Sequence, residues 1–327
     1  MDLSTASWLG TPAWFWLAFL ALVAALTAFD LGVLNRREQA MGVARSLRLS
    51  AFYVAVALAF GGWVWASKGA ADGLAWYTGY FVEKALSIDN VFVISLIFGF
   101  LAIPPRFQQR ALVWGIVGAI LLRGLMIGAG AALVAEAEWV LLLFAAFLIL
   151  TGAKMLFAAD KPHDLAQDPK VAWLARRLRV TPELHGERFF VRTGTAARWA
   201  ATPLFLALVL VNLADLVFAV DSVPAIFAIS TDPFIVYTSN IMAVLGLRAL
   251  YFALAAAVDR FTLLKPALAL ILLFIGGKIV AAEALGIDKV PPLLSLGVTV
   301  AILAGGVLLS LRRERQETAA FRPLNGG

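Results

Sequence analysis

Residues 80–100 read YFVEKALSIDNVFVISLIFGF, and residues 214–222 read ADLVFAVDS. Both stretches suit hydrocarbon, yet the first sets Glu83, Lys84, Asp89 and Asn90 inside one short window. The second holds Asp215, Asp221 and Ser222. In each, two acids stand six residues apart and a small polar residue follows the second acid. The pattern predicts one structural unit used twice, with ionisable groups in its apolar interior.

The rest of the chain fits that setting. Of 327 residues, 62% are hydrophobic and 15% charged, against about 25% charged in a soluble domain. Mean hydropathy is +0.88. The reading is an all-α, polytopic membrane helix bundle. The net charge of +6 follows the loops rather than forming one patch, so nucleic acid is not an expected partner. The absence of cysteine excludes disulfides, thiolate metal sites and cysteine nucleophiles. The N-terminus lacks a basic n-region and a clear cleavage site, so the first apolar run is read as an uncleaved span.

Runs long enough to cross a bilayer, about 20 residues, fall at 12–34, 50–67, 74–101, 111–134, 138–157, 200–230, 235–257, 264–283 and 292–311, predicting nine helices. Arginines and lysines collect in alternate loops: Arg36, Arg37, Arg45 and Arg48; Arg106 and Arg110; a long loop from Lys161 to Arg198; Arg260 and Lys265; and the tail at Arg312, Arg313 and Arg315. By the positive-inside rule these loops are cytoplasmic, with the N-terminus outside and the C-terminus inside. The expected organisation is one transporter domain. It comprises two N-terminal helices (1–73), a first repeat (74–157), a cytoplasmic loop (158–199), a second repeat (200–284), and a last helix with its tail (285–327). In the loop, VAWLARRLR at 171–179 reads as a short basic helix on the bilayer surface.

Further matches extend the duplication. LRG at Arg123 corresponds to LRA at Arg248, and GAKM at Lys154 to GGKI at Lys278. The third to fifth spans and the sixth to eighth are therefore one three-helix unit used twice. An odd number of spans per unit inverts the second copy, the architecture of secondary transporters.

A charge at the bilayer centre costs about 2.5–3.5 kcal/mol on insertion scales, so such groups pair or line a wet cavity. The candidates are Asp30, Glu83, Asp89, Asp215 and Asp221 against Lys84, Arg123, Lys154, Arg248 and Lys278. For Arg123, Lys154, Arg248 and Lys278, structural or gating ion pairs are as good a reading as any ion-path role. On an ideal helix Glu83, Ser87 and Asn90 share one stripe, with Asp89 about 120° to its side; Asp215 and Ser222 repeat the stripe, with Asp221 to its side. Two such helices crossing at the pseudo-two-fold axis bring Asp89 and Asp221 together. Pro224 has no N–H, which frees the Val220 carbonyl beside Asp221. An all-oxygen set suits Mg²⁺, Ca²⁺ or Mn²⁺ and argues against zinc, copper or nickel. The two histidines, His163 and His185, fall in the cytoplasmic loop and read as solvated. An aspartyl intramembrane protease is the enzyme alternative, but GxGD is absent around Asp89 and Asp221, and no enzyme is expected.

On TGYFVEKALSIDNVFVISLIF, VLGLRALYF, FAVDSVPAIFAISTDPFIVYTSN and FIGGKI, the chain resembles the TerC family of integral membrane proteins, named for tellurium resistance, and within it the Alx-type manganese exporters. The resemblance runs over most of residues 20–310. It implies export of Mn²⁺ from the bacterial cytoplasm across the inner membrane, with the metal as transported ion rather than resident cofactor. Its metal path would use Glu83, Asp89, Asn90, Asp215, Asp221 and Ser222, with Asp30 from the first helix. Where relatives commonly carry Glu three residues before the Asp matching Asp215, this chain has Asn212, a ligand variant. The expected partners are a divalent cation and the lipid bilayer. The rival reading is a non-transporting membrane assembly protein linked to metal or tellurite stress.

Overall fold

A computed structural model of the chain describes residues 7–34, 43–137, 139–157, 168–193, 198–254, 263–285 and 291–320. Eleven helices are present among them: α1 (Ala13–Leu34), α2 (Val43–Lys68), α3 (Ala70–Phe100), α4 (Pro105–Glu136), α5 (Val140–Phe157), α6 (Pro169–Arg177), α7 (Pro203–Phe227), α8 (Pro233–Leu245), α9 (Leu247–Leu254), α10 (Leu264–Leu285) and α11 (Pro292–Ala320). Two short antiparallel hairpins accompany them, β1 (Ser7–Trp8) with β2 (Thr11–Pro12), and β3 (Phe190–Thr193) with β4 (Arg198–Ala201).

The helix starts are written locally. Proline occupies the first turn of α4, α6, α7 and α8, where its missing N–H costs nothing and its fixed φ fits. Asp232 caps α8 by accepting from the backbone N–H of Phe234 at 2.8 Å and of Ile235 at 3.3 Å. The Thr202 hydroxyl accepts likewise from Phe205 N–H at the head of α7.

Eight stretches are long and apolar enough to cross a membrane, α8 and α9 counting as one. The chain is a multi-pass integral membrane protein. Helix α3 is outside that set only because Asp72, Glu83, Lys84 and Asp89 interrupt its apolarity. Its 31 residues reach about 46 Å at 1.5 Å per residue, and it lies among α2, α7, α8 and α11. Its length alone is enough to cross a bilayer.

The connections gather at two ends. At one, Lys68 bridges Asp232 at 2.7 Å and donates to Thr11 at 3.3 Å. At the other, Arg110 pairs with Glu187 at 3.4 Å and Tyr251 donates to Gln108 at 3.0 Å. There the Leu263 N–H also donates to Ser310 Oγ at 3.0 Å. The basic segment at 171–179 forms α6 and the turn after it. The β3–β4 hairpin, by contrast, takes residues expected to be loop or sixth span, and α7 begins only at Pro203. Thr202 ties this hairpin to the bundle, its hydroxyl donating to the Arg188 carbonyl at 2.7 Å.

Two features govern the interior. The seventh span, expected to be continuous, breaks at Gly246 between α8 and α9. Lys84 donates to the Ala243 carbonyl at the break, 3.0 Å away, placing a cation at the negative end of α8. Helices α5 and α10, meanwhile, meet at backbone distance. A Cβ on Gly152 would stand 2.8 Å from the Ala269 carbonyl oxygen, and one on Gly276 would stand 2.7 Å from that of Ala145. Small residues allow this approach where van der Waals packing is the main adhesive. The pairing of Gly152 with 269 and of 276 with Ala145 also means that α5 and α10 run antiparallel.

Candidate functional site

Helices α3, α4, α7 and α8 meet around Arg123, whose side chain is fully buried. Its Nε donates to Asp215 Oδ2 at 3.0 Å and its Nη2 to Asp215 Oδ1 at 2.7 Å, a two-pronged contact. Its Nη1 donates to Glu83 Oε1 and, at 3.0 Å, to Asn240 Oδ1. The Asn240 amide returns a bond to Glu83 Oε2 at 3.0 Å. Asn90 Nδ2 donates to Asp215 Oδ1 at 3.3 Å. Such a cluster is tolerable in a dry interior because nearly every charge meets a hydrogen-bonding partner.

The bridging crosses between the two segments expected from the sequence to be repeats. Arg123 and Glu83 belong to the first, Asp215 and Asn240 to the second. Along α3 and α7 the contacts run in opposite senses: Asn90 meets Asp215, while Glu83 and Ser222 line the same cavity. The two helices that carry the duplicated motif are therefore in contact and antiparallel, as α5 and α10 are.

That cavity, about 60 Å³, is bounded by Glu83, Leu86, Asn90, Arg123, Met155, Phe218, Asp221, Ser222 and Leu272. A single water needs roughly 10–15 Å³ measured in this way, so there is room for several waters or for a partly hydrated ion. Two of its oxygens are unusual. Asn90 Oδ1 and Ser222 Oγ are buried and have no hydrogen-bond partner. An oxygen stranded in this way costs about 1–3 kcal/mol, a cost that a cation or water in the cavity would remove. A second, smaller cavity of about 20 Å³ lies beyond Asn90 and Asp215, reaching Gly115, Ala119 and Arg248.

Other candidates stand elsewhere. Asp30 accepts from Tyr53 Oη and from Arg248 Nη2 at 3.1 Å, forming a separate cluster where α1, α2 and α9 meet. The matched arginines thus do different work, Arg123 joining α3 to α7 and Arg248 holding the first helix. Asn212 donates to the Leu208 carbonyl of its own helix at 2.8 Å and fills the space over Gly118 of α4. One turn before Asp215, it faces α4 rather than α3 and does not enter the cluster.

Among the described residues the matched lysines stand in no ion pair within 4 Å. Lys154 is exposed, although it is the charge acting on Asp221. Lys278 donates to Ser295 Oγ at 3.3 Å. Each lysine follows its interfacial glycine by two residues, about 200° around the helix, so it points away from the α5–α10 seam. The side chain of Asp89 and the whole of His163 lie outside the described residues; Asp89 is placed only as a position on α3. His185 sits on the exposed loop before the β3–β4 hairpin, with Nδ1 2.9 Å from the Glu183 carbonyl oxygen.

Among the described residues no three His, Cys, Asp or Glu side chains cluster tightly enough to cage a metal. The cavity instead offers two carboxylates and two neutral oxygens, a set suited to a hard cation that keeps part of its water. Sequence reasoning missed Asn240. The signal was there, an uninterrupted polar run Tyr237-Thr238-Ser239-Asn240 in an otherwise apolar span.

The family described as "Integral membrane protein TerC family" matches residues 68–318. Membrane protein STKORF319 of Myxococcus xanthus is 44% identical over 307 residues, covering 94% of each chain. A membrane protein of Rickettsia bellii is 42% identical over 299 residues, covering 91% of this chain and 97% of that one. The Escherichia coli K12 protein named "Putative membrane-bound redox modulator Alx" is 43% identical over 303 residues, covering 90% of this chain and 92% of its own. No solved structure matches the chain.

Proposed function

We propose that this chain, which belongs to the TerC family of integral membrane proteins, exports Mn²⁺ or a similarly hard divalent cation from the bacterial cytoplasm across the inner membrane. One observation carries the reading. The two stranded oxygens, Asn90 Oδ1 and Ser222 Oγ, occupy matched positions in the two motif copies and border one cavity with Glu83 and Asp221. A buried cavity bordered by two carboxylates and two unpartnered oxygens suits a guest that supplies positive charge. Oxygen-only ligation favours Mn²⁺, Mg²⁺ or Ca²⁺ over softer metals.

The architecture supports movement of that guest. The motif helices α3 and α7 cross antiparallel at the cavity, as expected where inverted units share a mid-membrane site. In this reading the basic ends, with Arg106, Arg110 and the β3–β4 hairpin, face the cytoplasm, and the end with Lys68 and Asp232 faces out. Outward movement of a divalent ion against an inside-negative potential costs about 4.6 kcal/mol per 100 mV, twice the single-charge value. Inward protons are the natural source of that energy. Asp89, on α3 beside Asn90, belongs to the proposed path. The relatives' printed name speaks of redox modulation; in this chain such an effect would not run through thiols, since it has no cysteine.

The test is Mn²⁺ flux in proteoliposomes holding the purified protein, across a panel of Mn²⁺, Mg²⁺, Ca²⁺ and Zn²⁺. The reading expects flux of Mn²⁺ that Asp221→Asn lowers at least tenfold with the protein still folded and inserted. A wild-type protein that moves none of these ions would leave the assembly-protein alternative standing instead.

A further inference from the structure

The Glu83 carboxylate has two claimants. It borders the cavity beside Asp221, Asn90 and Ser222, yet one of its oxygens is already held by Arg123 and the other by Asn240. Arg123 itself lines the same cavity. A cation seated there at ligand distance from Glu83 would face the Nη1 group across the same oxygens. Two cations at that separation in a low-dielectric interior repel strongly, so they do not share Glu83 at full strength.

We propose that Arg123 is a tethered competitor of the transported cation. Its guanidinium holds Glu83 when no cargo is present, and cargo takes Glu83 from it. The inference rests on the cation-transport reading and adds the role of this residue to it. The geometry makes the exchange small. Arg123 is anchored to Asp215 through Nε and Nη2, so only Nη1 has to release. Asn240 can serve both partners as they separate, because its carbonyl accepts from Nη1 while its amide donates to Glu83.

The arrangement solves a problem that every carrier in lipid faces. Buried carboxylates left bare cost several kcal/mol each, so a carrier returning without cargo needs a replacement charge. Here the replacement is built in. Its cost is weaker cargo binding, which suits an exporter that must release its ion. A purely structural Arg123 behaves in the opposite way: removing it would loosen the cavity and weaken binding.

Equilibrium binding of Mn²⁺ to the full-length protein in detergent separates the two. Arg123→Gln is expected to bind Mn²⁺ at least tenfold more tightly than wild type. The gain should vanish when Glu83→Gln is present too, because the contested ligand has gone. Arg123→Lys, which keeps the charge but loses the fork, is expected to bind about threefold more tightly, and it decides the matter if Arg123→Gln does not fold. Folded variants that bind Mn²⁺ no better than wild type would overturn the inference while leaving transport intact. If wild-type protein and all variants fail to bind any of the panel cations, the cation reading falls, and this inference with it.

Discussion

The seam between α5 and α10 permits a sharp test of the fold around the site. Ordinary contact for a Cβ begins near 3.4 Å, whereas Cβ atoms on Gly152 and Gly276 would stand 2.8 and 2.7 Å from backbone carbonyl oxygens of the facing helix. Those oxygens belong to helix backbone and cannot rotate aside, so a side chain at either position must push the helices apart by about 0.6 Å. Valine at either site adds further bulk. Overpacking of this kind costs about 1–3 kcal/mol, and the gain in helix propensity over glycine, a few tenths of a kcal/mol, does not offset it. The same outward shift of α5 from α10 relieves both clashes. The double variant Gly152→Val/Gly276→Val should therefore cost less than the two single changes together, by about 0.5 kcal/mol or more. Denaturant or thermal unfolding of the protein in detergent measures all four corners of the cycle. Because Met155 of α5 and Leu272 of α10 wall the 60 Å³ cavity, the single variants should also leak or slow Mn²⁺ flux. Single variants as stable as wild type, or costs that simply add, would refute the backbone-contact argument.

Further outcomes follow from the same geometry. Asn240→Leu strands groups on both Glu83 and Arg123 and should destabilise the protein by about 2–4 kcal/mol, seen as a lower unfolding temperature; unchanged stability would show that Asn240 is peripheral. Asp30→Asn leaves Arg248, already carrying an unpartnered Nε, without its acid, and should cost about 3–5 kcal/mol in the same assay. A change under 1 kcal/mol would contradict the buried pair. Lys68→Met removes a largely buried bridge at the rim and should cost about 1 kcal/mol; a loss above about 3 kcal/mol would mean that the rim contact organises the bundle. An experimental structure should superpose α3–α5 on α7–α10 after a half-turn about an axis in the membrane plane. Equivalent helices found parallel would end the inverted-repeat reading.

Much of this was legible in the sequence because hydrocarbon imposes few choices. Apolar runs between proline and aspartate starts, such as Asp232-Pro233, mark where helices begin, and the motif spacing identified Glu83, Asn90, Asp221 and Ser222 as neighbours. What stayed hidden depends on how helices cross. Helix angles alone made Glu83 and Asp215 lateral to a central Asp89–Asp221 pair. The crossing of α3, α4 and α7 instead puts Arg123 between Glu83 and Asp215, in the buried interior of the bundle. Equal sequence context likewise suggested equal roles for Arg123 and Arg248, but Arg248 finds Asp30 on a helix that has no counterpart in the duplication. Lysines two residues past a packing glycine could have been read as facing away from the α5–α10 seam from the 100° step alone.

The break at Gly246 gives the duplication a direction. Two strictly identical inverted halves would make a carrier whose inward-open and outward-open shapes are related by a half-turn and equal in energy. Here α4 runs unbroken while its counterpart is two rods joined at a glycine, steadied by Lys84 and tied through Arg248 to the first helix. On the cation-export reading proposed above, that symmetry is broken and the two shapes would differ in free energy; each 1.4 kcal/mol of difference shifts their ratio tenfold. A carrier built this way would have a preferred resting side written in its covalent sequence, before any gradient acts on it.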